Sequence, residues 1–280
     1  MSVGPVLKRR LVDLSVSLTE GGLRRLGVPP PQALLLLGHM RSGSTLLLHL
    51  LVNHPQIAGL GERNAIYLGP HDFGRLALRA RLARPQPLAR LRYVTDQLNH
   101  NHLTPHPELF AHPRLRLLFL VRRPEPSLAS LLDLTRTHYE PWSVERTVDY
   151  YVERLGALAR YAGTSPSAAA SILERAAFLT YEELTDRPGQ TLASLQSFLD
   201  MDTEPAFSET YRVHDFTGTR GDPSENIRSG RIGRPRRVEQ PAQLPAREIE
   251  RARRAYDRCL EALAPFALAT RAAVGPAGQR

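Results

Sequence analysis

Apolar residues fall into distinct patterns along the chain. Leu7, Leu11, Leu14 and Leu18 recur at helical spacing, and the pattern stops at Gly21-Gly22, which predicts an amphipathic helix ending there. After Pro29-Pro30-Pro31, the run Ala33 to Leu37 is wholly apolar and ends at Gly38; beyond a polar loop, Thr45 to Asn53 is leucine-rich on every side. That order predicts a buried strand, a tight loop and a buried helix. A second such unit follows, with a strand at Leu115 to Val121, a turn at Arg122-Arg123-Pro124 and a helix at Ser127 to Leu134, where Pro124 or Pro126 fits the first turn. A third strand is expected at Ala176 to Thr180, with a helix from Thr191 to Leu199. Val144 to Tyr161 and Arg247 to Leu263 read as helices, and Thr217 to Val238, rich in Gly, Pro, Ser and Arg, as a long loop. Strands alternating with helices predict an α/β fold with a central parallel sheet flanked by helices, in a single domain. The expected divisions are an N-terminal helical segment at 1–30, the α/β domain at 31–267 and a disordered tail at 268–280.

Composition narrows the class. With 280 residues, 42% hydrophobic, the chain can bury one full-sized core, and 19 Gly, 23 Pro and a lone Cys259 exclude a collagen-like fibre and a disulfide-stapled scaffold. A single cysteine forms no internal disulfide and suits a reducing compartment. Lys8-Arg9-Arg10 followed by Leu11 to Leu18 mimics a signal peptide, but Asp13 interrupts it. No run is long enough to span a membrane, so a cytoplasmic protein is expected. The formal charge of +9 is carried almost wholly by arginine, since Lys8 is the sole lysine. Such a balance fits either an arginine-rich compositional habit or a polyanionic ligand.

Gly38-His39-Met40-Arg41-Ser42-Gly43-Ser44-Thr45 lies between the buried strand and the start of the helix. There, backbone N–H groups and the helix dipole converge on an anion. The spacing is that of a nucleotide-triphosphate P-loop, with Ser44 at the lysine position. No nearby lysine substitutes, and Arg41 is the cation on offer. A loop for one phosphate and a transferable group fits better than one for ATP with Mg²⁺.

These residues resemble a known family. Arg41-Ser42-Gly43-Ser44-Thr45-Leu46 is similar to the 5′-phosphosulfate loop of sulfotransferases that use 3′-phosphoadenosine 5′-phosphosulfate (PAPS), in the form found in tyrosylprotein-type and bacterial enzymes. Leu118 to Pro124, with Ser130 eight residues after Arg122, resembles the family's 3′-phosphate strand, turn and helix, which implies that Arg122 and Ser130 hold that phosphate. Leu179 to Leu184, followed by Ser197-Phe198-Leu199, is similar to the segment whose tyrosine lies against the nucleotide, here Tyr181. Gly221 to Ile232 resembles the loop that folds over the 3′-phosphate, with Ser224 and Arg228 as its candidates, although its wording departs from the animal Arg-Lys-Gly form. The resemblance touches roughly residues 33 to 232 and implies a sulfotransferase that moves a sulfuryl group from PAPS to a hydroxyl or amine.

Sulfuryl transfer needs a base for the acceptor proton, charge to offset the leaving phosphate, and in-line positioning. Arg41, the loop N–H groups of residues 42 to 45 (Ser42 and Gly43 among them), and the Ser44 and Thr45 hydroxyls are candidates for the second task. Glu62, 21 residues after Arg41, stands where the tyrosylprotein-type enzymes carry their catalytic Glu. His100 and His102, in Asn99-His100-Asn101-His102-Leu103, compete for the same role through a resemblance to the cytosolic enzymes. No metal is expected. His100, His102, His106 and His112 have spacing that a metal site could use, without Cys or acidic partners. The acceptor is open between glycan, lipid, peptide and small molecule; Tyr67, Phe73, Tyr139 and Trp142 are aromatic candidates to line its pocket. The run Arg75, Arg79, Arg81, Arg84, Arg90 and Arg92 reads as a solvated helix face. Nucleic acid is not the expected partner, and the sequence leaves the oligomeric state open. The alternatives are a P-loop-type nucleotide kinase or NTPase lacking its lysine, a non-catalytic PAP-binding protein (PAP being adenosine 3′,5′-bisphosphate), and an Arg-rich nucleic-acid binder.

Overall fold

The computed structural model describes residues 5–163, 174–202, 204–216, 225–233 and 244–271, without the side chains of 5–12, 225, 270 and 271. Five parallel strands form one sheet: β1 (Gln32–Leu37), β2 (Ile57–Gly59), β3 (Tyr93–Leu98), β4 (Leu115–Val121) and β5 (Ala176–Thr180), in the order β2-β3-β1-β4-β5. The central strand is the leucine run, which is buried on both faces. Its alternation sorts side chains between two cores: Leu35 and Leu37 join Phe119 and Val121 on one face, while Leu34 and Leu36 join Leu118 and Leu120 on the other.

Helices cover both faces. They are α1 (Pro5–Arg25), α2 (Ser44–Val52), α3 (His71–Leu82), α4 (Pro124–His138), α5 (Val144–Ala162), α6 (Tyr181–Asp186), α7 (Pro188–Phe198), α8 (Glu225–Arg228), α9 (Ala246–Leu263) and α10 (Leu268–Arg271). Among the described residues, no helix is long and apolar enough to cross a membrane. Cys259 is buried on α9.

Register is what builds the site. Leu37 at the end of β1 stands opposite Leu98 at the end of β3 and Phe119 of β4, and Val121 stands opposite Thr180. The segments that follow these strands therefore leave the same edge of the sheet, where α/β folds bind ligands.

Four expectations are revised. The first helix runs through the glycine pair to Arg25 and ends on Gly27. Gly27 has φ 74°, and its N–H donates to the Arg24 carbonyl while that of Val28 reaches Leu23, the paired bonds of a Schellman cap. This helix packs on α3, with Val16 buried against Gly74, where a Cβ would lie 2.4 Å from Val16 Cγ1. The arginine run is a solvated face only at Arg79 and Arg90. Arg75 pairs with Asp13 and Asp72, and Arg81, 3% exposed, donates to the Pro87 and Ala89 carbonyls. The strand β3 is an addition, as is α6, whose start carries a Thr180/Glu183 capping box. At the other end, Ala267 bridges Phe178, and Leu268 on α10 is buried, where the tail was expected to begin.

Candidate active site

The loop between β1 and α2 is shaped by backbone. Gly38 is tightly enclosed, since a Cβ there would meet Ser42 Oγ at 2.8 Å and the Leu120 carbonyl at 3.1 Å. Arg41 and Gly43 both take the left-handed conformation, at φ 69° and 93°. For Gly43 this is required twice over, because a Cβ would also strike the Tyr181 ring at 2.3 Å. The turn delivers the N-terminus of α2 to the sheet edge with Ser44 in its first position.

Buried polar groups hold that backbone in place. His39 is fully buried, its Nδ1–H donates to the Met40 carbonyl at 2.8 Å, and its Nε2 accepts the Arg122 N–H at 3.1 Å. That pairing fixes the neutral tautomer, and burial lowers its pKa to about 4. The helix α5 contributes more. Tyr150 Oη accepts the Met40 N–H at 2.7 Å and donates to the Asn99 carbonyl at 2.6 Å, while Tyr151 donates to the Arg122 carbonyl at 2.7 Å. Arg154, with no solvent exposure, donates from Nε to the Gly38 carbonyl at 2.7 Å, from Nη1 to that of His100 at 3.1 Å and from Nη2 to that of Leu98. One side chain thus ties together the ends of β1 and β3.

The predicted residues gather around a cavity of about 410 Å³. Arg41, Gly43, Ser44, Thr45, Glu62, Asn99 and His100 line one side of it. Glu62 Oε1 lies 3.3 Å from His100 Nε2, so the two residues that compete for the base are in contact. Asn99 Nδ2 stands between Glu62 Oε1 at 3.4 Å and Ser44 Oγ at 3.0 Å, which links the carboxylate to the phosphate loop. Ser42 is buried beneath the loop rather than lining the cavity. Arg41 Nε donates to Ser130 Oγ at 2.7 Å, and Arg122 Nη1 to the Arg41 carbonyl at 3.2 Å. The Arg122 guanidinium stacks 4.2 Å above the Tyr181 ring.

Two further expected residues are exposed. His102 is exposed and stacks on the outer side of His100 at 5.4 Å. Arg228 is exposed on α8 and makes no hydrogen bond or ion pair with Arg41, Arg122 or Ser130. Ser224 lies outside the described residues. Of the four histidines with metal-like spacing, His100 and His102 stack on each other, while His106 pairs with Glu108 and His112 packs on Phe73. Among the described residues, no group of three or more His, Cys, Asp or Glu is placed for a metal. Of the aromatic acceptor candidates, Tyr139 and Trp142 line the cavity, and Tyr67 and Phe73 belong to the core.

Asp96 is a residue the sequence reading passed over. It is buried in β3, where it accepts the Tyr67 hydroxyl at 2.8 Å and the Arg63 N–H at 3.3 Å, so it anchors the segment that carries Glu62. Burial raises its pKa to about 6. Asn99 had a signal of its own, a polar residue closing a strand beside β1.

A family model described as the sulfotransferase domain matches residues 31–240. The chain belongs to the sulfotransferase family. It is an enzyme, a sulfotransferase. Solved structures similar to it include a sulfotransferase from Alicyclobacillus acidocaldarius, 16% identical, covering 72% of this chain and 90% of that one, with a TM-score of 0.44. Another is the mouse sulfotransferase SULT7A1 in complex with PAP, 12% identical, covering 61% and 59%, with a TM-score of 0.40. No curated protein sequence matches the sulfotransferase.

Proposed function

We propose that the sulfotransferase takes its sulfuryl group from PAPS and delivers it to a hydroxyl or amine held in the cavity, with Glu62 as the base. The observation that carries this is the Glu62–Asn99–Ser44 link, which sets a carboxylate and a phosphate-type loop on one cavity. The chemistry of the donor set fits PAPS: a helix N-terminus, the Arg41 guanidinium and the Ser44 and Thr45 hydroxyls meet a group of high negative charge. PAPS supplies the activated sulfuryl group. Glu62 removes the acceptor's proton, and His100 at 3.3 Å orients the carboxylate or shares that proton. Arg41 and the α2 N–H groups offset negative charge on the leaving phosphate. Arg122 and Ser130, joined through Arg41, hold the 3′-phosphate, and Tyr181 backs the nucleotide.

The kinase alternative is not favoured. Ser44 stands at the lysine position and Lys8 is the sole lysine of the chain, so the side chain that bridges the β- and γ-phosphates in such a site is missing. Sulfuryl transfer carries less charge to neutralise, and we propose that it proceeds here without a metal. The lone buried Cys259 supports a cytoplasmic location. Calorimetric titration with PAP and with ATP, each with and without Mg²⁺, tests the reading. Micromolar, metal-independent PAP binding is the expected result, and a preference for ATP with Mg²⁺ overturns it.

A further inference from the structure

Beyond the polar floor formed by Arg41, Ser44, Glu62 and His100, the cavity changes character. The rest of its lining is Met40, Leu131, Leu134, Tyr139 and Trp142, with Thr135 and Glu140 as the polar members. Leu131 comes from the buried face of α4, and Trp142 is fixed edge-on to Tyr150 at 5.8 Å. Both belong to the fold rather than to a mobile surface.

Charge is distributed there against the trend of the whole molecule. The chain carries 37 Lys and Arg and a formal charge of +9. Yet Arg41 is the sole Lys or Arg among the described residues lining this cavity, and it lies on the donor side, bonded to Ser130. Glu62 and Glu140 line the same cavity, and Glu140 is exposed, with no ion pair among the described residues. An acceptor carrying a carboxylate or sulfate would leave water for an apolar wall and meet two carboxylates. An uncharged or cationic acceptor would meet neither cost. The whole cavity, phosphate loop included, is about 410 Å³, which is the size of a small-molecule pocket.

We infer that the acceptor is a small apolar alcohol or phenol, uncharged or cationic, and that Glu140 is the specificity residue that turns anionic acceptors away. This rests on the proposed donor reading, because the reacting hydroxyl must lie between Glu62 and the phosphate loop. Glycans and peptides rich in carboxylate or sulfate are thereby set aside, despite the motif resemblance to tyrosylprotein-type enzymes.

The test needs no turnover. Three phenols of matched skeleton, para-propylphenol, tyramine and para-hydroxyphenylpropionate, are titrated into the PAP-saturated protein by calorimetry. The neutral and cationic probes are expected to bind at least roughly tenfold more tightly than the anionic one. Glu140→Gln should narrow that gap by about two- to fivefold, the range of a solvent-exposed charge interaction. Leu134→Ser should weaken the neutral probe, with PAP affinity serving in each variant as the control for an intact fold. Equal binding of the anion, or a gap unchanged in Glu140→Gln, overturns the charge selection. PAP binding without binding of any phenol overturns the acceptor class and leaves the donor reading standing. Failure to bind PAP overturns the donor reading itself, and this inference with it.

Discussion

The two walls of the cavity are built on different principles. On the donor side, position is set by main-chain atoms: Gly38, Met40, Leu98, Asn99, His100 and Arg122 are held through their N–H or carbonyl groups by buried His39, Tyr150, Tyr151 and Arg154. On the acceptor side, Leu134, Tyr139, Glu140 and Trp142 present side chains of half-buried or exposed residues. A donor common to a family calls for an invariant frame, whereas an acceptor is chosen by surface. The difference predicts that damage to the first wall costs stability and nucleotide binding, and damage to the second alters acceptor choice alone.

Removing the Arg154 guanidinium breaks that contrast most severely. Arg154→Met takes away the donor of the Gly38 carbonyl and one of the two donors at the Leu98 and His100 carbonyls, which also accept the Gly38 and Leu103 N–H groups, and a loss of about 3 kcal/mol is expected in denaturant unfolding, the upper end for an unsatisfied buried acceptor. Arg154→Lys, which can reach fewer of the three, should fall between. A loss below about 1 kcal/mol would show that the strand ends are held by other means.

Asp96 sharpens the comparison through pH. Its folded pKa is raised from 3.8 to about 6, so between those values the native state keeps a proton that the unfolded chain has released. Its contribution therefore falls as pH rises through that window and is constant above it. His39 runs the other way. Its pKa is lowered from 6.5 to about 4, so stability rises with pH over nearly the same window. In Asp96→Asn the first slope vanishes. Both carboxylate oxygens accept hydrogen bonds, from the Arg63 and Gln97 N–H groups and the Tyr67 hydroxyl, so the amide gives up one acceptor at every pH and only the slope is removed. The variant should also show the acid loss due to His39 unopposed, which urea midpoints across that range would record.

Two substitutions separate chemistry from binding at the donor wall. Glu62→Gln should slow transfer about 100-fold or more while PAP affinity holds, the outcome for a lost general base. Near-normal turnover would move the role to His100. Arg122→Ala should weaken PAP by roughly 1.5–3 kcal/mol, as for a charge-assisted hydrogen bond, and an unchanged calorimetric affinity would remove Arg122 from the nucleotide site.

How much of this was legible in the sequence follows the same division. Ala33 to Leu37, Leu115 to Val121 and Ala176 to Thr180 announced themselves because parallel strands covered by helices on both faces are apolar on both. Tyr93–Leu98 did not, because Thr95, Asp96 and Gln97 are buried inside it, at most 1% exposed, and break both the alternating and the apolar pattern. Arg41, Ser44, Thr45 and Glu62 were readable through their motif, and His100 through its segment; the structure turns the Glu62 and His100 alternatives into a contact. His39, Tyr150, Tyr151 and Arg154 were not, since a side chain that binds main-chain carbonyls leaves no matched partner in the sequence to find.

That last property has an evolutionary consequence. Every amino acid supplies a carbonyl, so Arg154 grips positions 98 and 100 without regard to what they are. His100 can be exchanged while the chain beneath it stays in place, and the neighbourhood of Glu62 can be rewritten one residue at a time on a fixed template. A single codon in α5 thereby leaves the rest of the reaction centre free to drift toward new acceptors.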